Sequence, residues 1–277
     1  MVENKVWYIT GTSRGLGASL VKQLLEKGQR VVATTRNVNA FSSLTGYDKS
    51  FLPVETDLTS DQSVAASFRQ AIARFGKLDV VVNNAGYGLG GALEELTPQE
   101  IADNFEINFF AVARVIRHAL PYLRKQQSGF ILNISSIAGF APGSGWTLYS
   151  AAKSAVIGLS QALANELRPL GIHVVNIIPG GFRTSFAKPD SIAFSQQPIA
   201  DYDYLRTYHA NMQKSDGLQQ GNPDKVADVF LQLVNSGTPA SDLFLGTDAF
   251  NRASTRLQQL SQTMEQWKQQ TTSTDFR

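Results

Sequence analysis

The stretch "TGTSRGLG" (Thr10–Gly17) decides the fold because of what stands on either side of it. Before it runs "KVWYIT" (Lys5–Thr10), a short apolar and β-favouring run that reads as a strand. After it Leu16, Leu20, Leu24 and Lys27 recur at helical spacing, and Gly28 is a suitable stop. A glycine-rich turn between strand and helix lets backbone N–H groups approach a pyrophosphate, and the helix N-terminus adds favourable partial charge. The glycines fall at Gly11, Gly15 and Gly17, which is not the G-x-G-x-x-G spacing. No Gly-Lys-Ser/Thr follows, so this is not a Walker A loop. The competing reading is a tight turn that holds no ligand.

Outward from this turn, strand-like and helix-like runs alternate. "RVVATT" (Arg30–Thr35), "FLPVE" (Phe51–Glu55), "LDVVVN" (Leu78–Asn83), "FILNI" (Phe130–Ile134) and "HVVNII" (His173–Ile178) read as strands. Most are apolar without clean alternation, as strands buried on both faces are. Between them Asp61–Phe75 is amphipathic, with Val64, Phe68, Ile72 and Phe75 about four apart. "TPQE" (Thr97–Glu100) is a capping box with proline at the first helical position, and it opens a long helix towards Lys125. Such alternation predicts an α/β fold, a Rossmann-type doubly wound parallel sheet with helices on both faces. No internal repeat or linker divides the first 180 residues, so residues 1–277 read as one domain. Regularity fails from Phe182 to Asn222, where Phe186, Phe194, Tyr202, Tyr204 and Tyr208 are scattered. It resumes with a helix at Pro223–Asn235, a short strand at Asp242–Gly246 and a helical extension over about 248–277.

Composition narrows the function. The 277 residues are 43% apolar and 17% charged, which suits a chain with a substantial core. A net charge of +2 argues for neither a nucleic-acid nor a membrane-surface partner. The run "FFAVARVI" is broken by Arg114 and too short to span a bilayer. No basic segment with an apolar h-region precedes the first strand, so a cytoplasmic location is expected. There is no cysteine, and His118, His173 and His209 are isolated in sequence, so no metal site is expected.

Taken together, "TGTSRGLG", "NNAG" (Asn83–Gly86), "YSAAK" (Tyr149–Lys153) and "PGGFRT" (Pro179–Thr184) resemble the motif series of short-chain dehydrogenases/reductases. The match is to the compact single-domain branch with the TGxxxGxG loop, and it covers roughly residues 5–250. It implies cofactor contacts from Gly11, Ser13, Arg14, Gly15, Leu16 and Gly17. It implies that Asp57 binds the adenine amino group, with Leu58 contributing backbone. Asp57 could equally serve as a helix cap ahead of Ser60–Asp61. Asn84, Ala85 and Gly86 would lie against the adenine ribose.

NAD binders usually place a carboxylate after the second strand for the ribose 2′-hydroxyl. Here "ATTRN" (Ala33–Asn37) offers Arg36 instead, and Arg14 sits within the glycine loop. Two guanidinium groups suit a 2′-phosphate, and both positions match those where NADP-preferring family members are basic. Each could alternatively be an ordinary surface charge. The expected cofactor is NADP(H).

Tyr149 and Lys153 share one face if their segment is helical. A phenol titrates near 10, and bringing it to neutrality requires roughly 4 kcal/mol. One ammonium about 4 Å away supplies a comparable amount at an effective dielectric near 20. By resemblance Tyr149 is the general acid, and Lys153 lowers its pKa and binds the nicotinamide ribose. Ser136 rather than Ser135 would orient the carbonyl oxygen, and Asn108 would shape a proton-relay water. Thr184 would hold the carboxamide, with Pro179 and Phe182 lining the ring. The expected reaction is hydride transfer between NADPH and a ketone, aldehyde or secondary alcohol.

In this family residues 185–220 would form the substrate lid, and its aromatics suggest an apolar small-molecule substrate. The resemblance implies a homodimer through the long helix and the helix of Tyr149. The alternatives are an NADP-binding redox sensor without turnover and a sugar-nucleotide epimerase or dehydratase. The latter carries a TGxxGxxG loop and a longer C-terminal domain. A sensor of this kind typically lacks the tyrosine.

Overall fold

The computed structural model describes residues 4–188 and 191–276. In chain order its strands are β1 (Val6–Ile9), β2 (Arg30–Thr35), β3 (Phe51–Glu55), β4 (Val80–Asn83), β5 (Gly88–Gly90), β6 (Gly129–Ile134), β7 (Ile172–Pro179), β8 (Ile192–Phe194) and β9 (Asp242–Leu245). Seven of them form one parallel sheet in the order β3-β2-β1-β4-β6-β7-β9. The chain winds outward from β1 to β3, returns on the other side of β1 as β4, and winds outward again to β9. Loops leaving the carboxyl ends of β1 and β4 therefore diverge and open a crevice at the switch point. This is the Rossmann-type doubly wound α/β sheet.

The helices are α1 (Gly15–Glu26), α2 (Asp61–Phe75), α3 (Pro98–Phe105), α4 (Ala111–Gln126), α5 (Ile137–Phe140), α6 (Thr147–Leu167), α7 (Asp203–Lys214), α8 (Val226–Asn235), α9 (Thr247–Gln266) and α10 (Lys268–Thr272). They explain why the strands do not alternate. Trp7 and Ile9 of β1 pack with Leu20 and Leu24 of α1 and Phe230 of α8. Val6 and Tyr8 pack on the opposite face with Phe68 of α2, Val115 of α4 and Val156 of α6. All four β1 side chains are fully buried, each contributing about 2 kcal/mol of gross apolar stabilisation.

Local signals set the helix ends. Ser60 caps α2 by accepting from the Ser63 N–H at 3.2 Å, and Gly76 closes it with φ 75°. Thr97 accepts from the Glu100 N–H at 3.2 Å, and Glu100 accepts from the Thr97 N–H at 2.7 Å. The long helix expected from Thr97 departs from regularity in one place. Between α3 and α4 the backbone widens into a π-helical turn, Glu106–Phe110, which carries Asn108. Such a turn inserts an extra residue and re-aims the side chains around it.

Other departures are small. Pairing of the fourth strand starts at Val80, although Leu78 ahead of it is fully buried. Helix α9 starts at Thr247, directly after the last strand. β5 and β8 pair in parallel as a separate two-stranded sheet, which ties the segment after β7 to the loop after β4. No helix among the described residues is long and apolar enough to cross a membrane.

Candidate active site

The glycine-rich turn is braced against the exit of β4. Asn84 Nδ2 donates to the carbonyls of Thr10 and Gly11, each at 2.9 Å. Thr10 Oγ1 accepts from the N–H groups of Asn84 and Ala85 at 3.0 and 3.1 Å. The fit leaves no room for side chains. A Cβ on Gly11 would lie 2.6 Å from Ala85 Cα, and one on Gly17 would lie 2.4 Å from the Gly11 oxygen. Gly17 is accordingly packed behind the turn and does not line the crevice. Gly11, Ser13, Arg14, Gly15 and Leu16 do line it.

The crevice is one continuous cavity of about 590 Å³ running between the exits of β2 and β3 and the segment after β7. At the first end lie Arg36, Asp57 and Leu58. Asp57 Oδ1 accepts from Thr59 Oγ1 at 2.7 Å and from the Thr59 N–H at 2.9 Å. These bonds hold its carboxyl below the usual range, with smaller help from the Arg114 and Arg36 charges. Asp57 is thus the head of a tight turn, and the cap of α2 is Ser60. The Leu58 carbonyl accepts from Arg114 Nη1 at 2.6 Å. Asn84, Ala85 and Gly86 line the middle of the cavity.

Helix α6 presents Tyr149 and Lys153 one turn apart, 6% and 3% exposed. Tyr149 lines the cavity with Ser136, whose hydroxyl acts to lower the phenol's pKa and whose Oγ accepts from the Ala138 N–H at 3.1 Å and so caps α5. Ser135 differs: its hydroxyl is buried and donates to the Ile177 carbonyl at 3.0 Å. Lys153 Nζ donates to the Ile134 carbonyl at 3.1 Å and stands 5.8 Å from the centre of the Tyr149 ring. Gly86 lies between Lys153 and Asn108, since a Cβ there would meet Asn108 Oδ1 at 2.6 Å and Lys153 Nζ at 3.1 Å. Asn108 is fully buried behind the cavity wall. Its Nδ2 donates to the carbonyls of Tyr87 and Asn104 at 3.0 and 3.1 Å, while its Oδ1 has no partner among the described residues.

The electrostatics correct one expectation. Burial pushes the Tyr149 phenol up to about 12, against the lowering effect of the Ser136 hydroxyl. Burial also pushes the Lys153 ammonium down to about 8. The anticipated lowering of the phenol by the lysine is absent in this arrangement. The ammonium is held on the Ile134 carbonyl, and desolvation of the buried phenolate dominates.

Beyond Tyr149 the cavity is bounded by Pro179, Phe182 and Thr184, whose Oγ1 accepts from the Phe186 N–H at 3.2 Å. Of the scattered aromatics, Phe186 and Tyr208 line it, while Tyr202 and Tyr204 pack on each other. Trp146, Ile192, Met212 and Arg252 also line this end and had no motif to announce them. His209 of α7 is buried 5.0 Å from the Trp146 ring and 5.1 Å from Phe194, as support behind the wall. His118 lies beside Asp61 and His173 stacks on Phe130. No group of three or more metal-ligating side chains occurs among the described residues.

Comparison with known proteins agrees with the geometry. The family model for short chain dehydrogenases matches residues 5–193. An oxidoreductase of Botryotinia fuckeliana is 34% identical over 271 residues, covering 96% of this chain and 97% of its own. The crystal structure of a short-chain dehydrogenase from Streptomyces avermitilis superposes with a TM-score of 0.91 at 33% identity, over 99% of this chain and 100% of that one. More distant structures hold different cofactors. ElxO with NADP bound has a TM-score of 0.74 at 26% identity, over 90% of this chain and 100% of that one. A 3-ketoacyl-(acyl-carrier-protein) reductase from Brucella melitensis with NADH has a TM-score of 0.73 at 24% identity, over 88% and 97%. With turn, sheet and sequence in agreement along nearly the whole length, the chain belongs to the short-chain dehydrogenase family.

Proposed function

We propose that this oxidoreductase is an NADPH-dependent carbonyl reductase, with the same parts oxidising a secondary alcohol in reverse. The observation that carries the reading is the buried Tyr149, which with Ser136 and Lys153 lines a cavity that begins at the glycine-rich turn. The residues present fit a dinucleotide. The turn gives way to the N-terminus of α1, and bulk at Gly11 is excluded by Ala85. When bound, the nicotinamide supplies the hydride and, once oxidised, a positive charge. Ser136 holds the carbonyl oxygen beside the phenol. Tyr149, protonated at neutral pH, gives that oxygen its proton. Lys153 carries the compensating charge, and Asn108 holds the backbone of the loop after β4 in place through Tyr87. Thr184, Pro179 and Phe182 close the nicotinamide end.

The preference for NADPH rests on charge at the far end. Arg14 and Arg36 both line the cavity, and no carboxylate follows β2 before Asp48. A guanidinium pair favours a 2′-phosphate over a hydroxyl. The test is kcat/KM with each cofactor, followed by absorbance over a panel of ketones and aldehydes. NADPH is expected to exceed NADH by about tenfold or more, a gap that Arg36→Ala narrows. Equal values would remove the NADPH assignment. The wall of Trp146, Phe186, Ile192, Tyr208 and Met212 supports a substrate with an apolar body.

A further inference from the structure

At the substrate end the lining mixes the apolar Phe186, Ile192 and Met212 with Ser185, Ser191, Tyr208 and Gln219, and it includes one guanidinium. Arg252 projects from α9 into the lining. Its Nη2 donates to the Ala141 carbonyl at 2.5 Å, which fixes the side chain against the exit of α5. The backbone beneath is equally fixed. Ala249 and Ala253, its neighbours on α9, are buried against Ile137 and Ile178, with Phe140 and Ala141 packed alongside. Arg252 makes no ion pair with any described residue. The acid one turn back on α9, Asp248, accepts from the Gly181 N–H through Oδ2 at 2.7 Å and makes no ion pair with Arg252, while its Oδ1 has no partner among the described residues. One guanidinium nitrogen is engaged by a carbonyl, the residue is solvent-exposed where it lines the cavity, and no described carboxylate pairs with it.

We propose that Arg252 binds a carboxylate of the substrate, so that the preferred carbonyl compound is a keto acid with an apolar tail. This rests on the reductase reading above. A planar guanidinium matches a carboxylate with two parallel N–H···O bonds. One positive charge balances a carboxylate, whereas a phosphate dianion would be left half neutralised. Position fixes the spacing. Ser136 and Ala141 flank the four-residue helix α5, which rises about 6 Å at 1.5 Å per residue. The carboxylate therefore sits a few carbon–carbon bonds from the carbonyl that Ser136 holds. The tail runs the other way, towards Phe186, Ile192, Tyr208 and Met212.

The test uses 4-oxodecanoate and its methyl ester with the full-length protein and NADPH. The wild-type protein is expected to show a KM for the acid about tenfold or more below that for the ester. Arg252→Gln should raise the KM of the acid to that of the ester and leave the ester's kcat and KM unchanged. Arg252→Lys, which keeps the charge without the fork, should fall between. Retained NADPH binding by each variant reports that it is folded. Turnover of both ketones with the same acid-to-ester ratio in wild type and variants overturns the inference and leaves the reductase reading intact. Turnover of neither ketone by the wild-type protein overturns both.

Discussion

Tyr149 and Lys153 show how far single residues can be read from a sequence. Their identity and spacing were visible in "YSAAK", and the helix that sets them on one face follows from local pattern. Their protonation was not visible. The Coulombic attraction of a nearby ammonium was expected to dominate, but β6 and the lid segment bury both groups, and burial acts on both at once. It favours the neutral form of each, moving the phenol up to about 12 and the ammonium down to about 8. At neutral pH the phenol still holds its proton and the lysine still holds its charge. An amine depressed in this way is cationic below about 8 and neutral above it. The charge that balances a forming phenolate is therefore lost as pH rises. For ketone reduction, kcat/KM, which reports the free enzyme, should fall with rising pH through a break near 8. A profile that stays flat to pH 10 would contradict this.

At the scale of elements, the strong local signals held and the weak ones were silent. The capping box at Thr97 placed the start of α3, because a cap is a contact between neighbours in sequence, and apolar spacing placed α2, whose cap is Ser60 rather than Asp57. The π-helical turn at Glu106–Phe110 has no such signature, since the contacts around Asn108 reach to Tyr87 on another loop. β5 and β8 were equally unreadable, being three residues each and, in β5, mostly glycine. What holds the segment after β8 is an ion pair between distant parts of the chain, with a buried carboxylate and a partly exposed guanidinium. Glu95 is 1% exposed and accepts from Arg206 of α7 at 2.5 Å, and also from the N–H groups of Ile199 and Ala92. Burial alone would raise its pKa, but the bonds from these three groups and the Arg206 charge outweigh it and the net direction is down. Arg206 also pairs with Asp203. A carboxyl depressed in the folded state stabilises above its unfolded value of 4.5 and ceases to do so as pH falls through the folded one. Arg206→Ala leaves Glu95 buried without its cation and should lower Tm, on the order of 5 °C at pH 7. The deficit should shrink below about pH 4.5, as Glu95 takes up a proton. A deficit independent of pH would mean that Arg206 acts through packing alone.

Across the whole molecule, the doubly wound order was legible because alternation of buried strands and amphipathic helices leaves few ways to cover both faces of a sheet. What lay beyond reach is what the sheet brings side by side. Asn83, Asn133 and Asn176 stand in one row across β4, β6 and β7, all essentially buried. Asn83 donates to Asn133 at 2.7 Å, and Asn133 donates to Ser160 of α6 at 2.9 Å. The row ties the sheet to the helix that carries Tyr149. In the same way α9 returns the C-terminal part of the chain to the cavity and places Arg252 there, remote in sequence from every motif. These long-range placements surround one hydroxyl, the proton source of the proposed reaction, and Tyr149→Phe removes that hydroxyl while keeping the ring. The decisive measurement is ketone-dependent NADPH oxidation by folded Tyr149→Phe protein that still binds NADPH. A loss of kcat of about 10²- to 10⁴-fold is expected, and a variant that keeps most of its turnover would contradict the assignment.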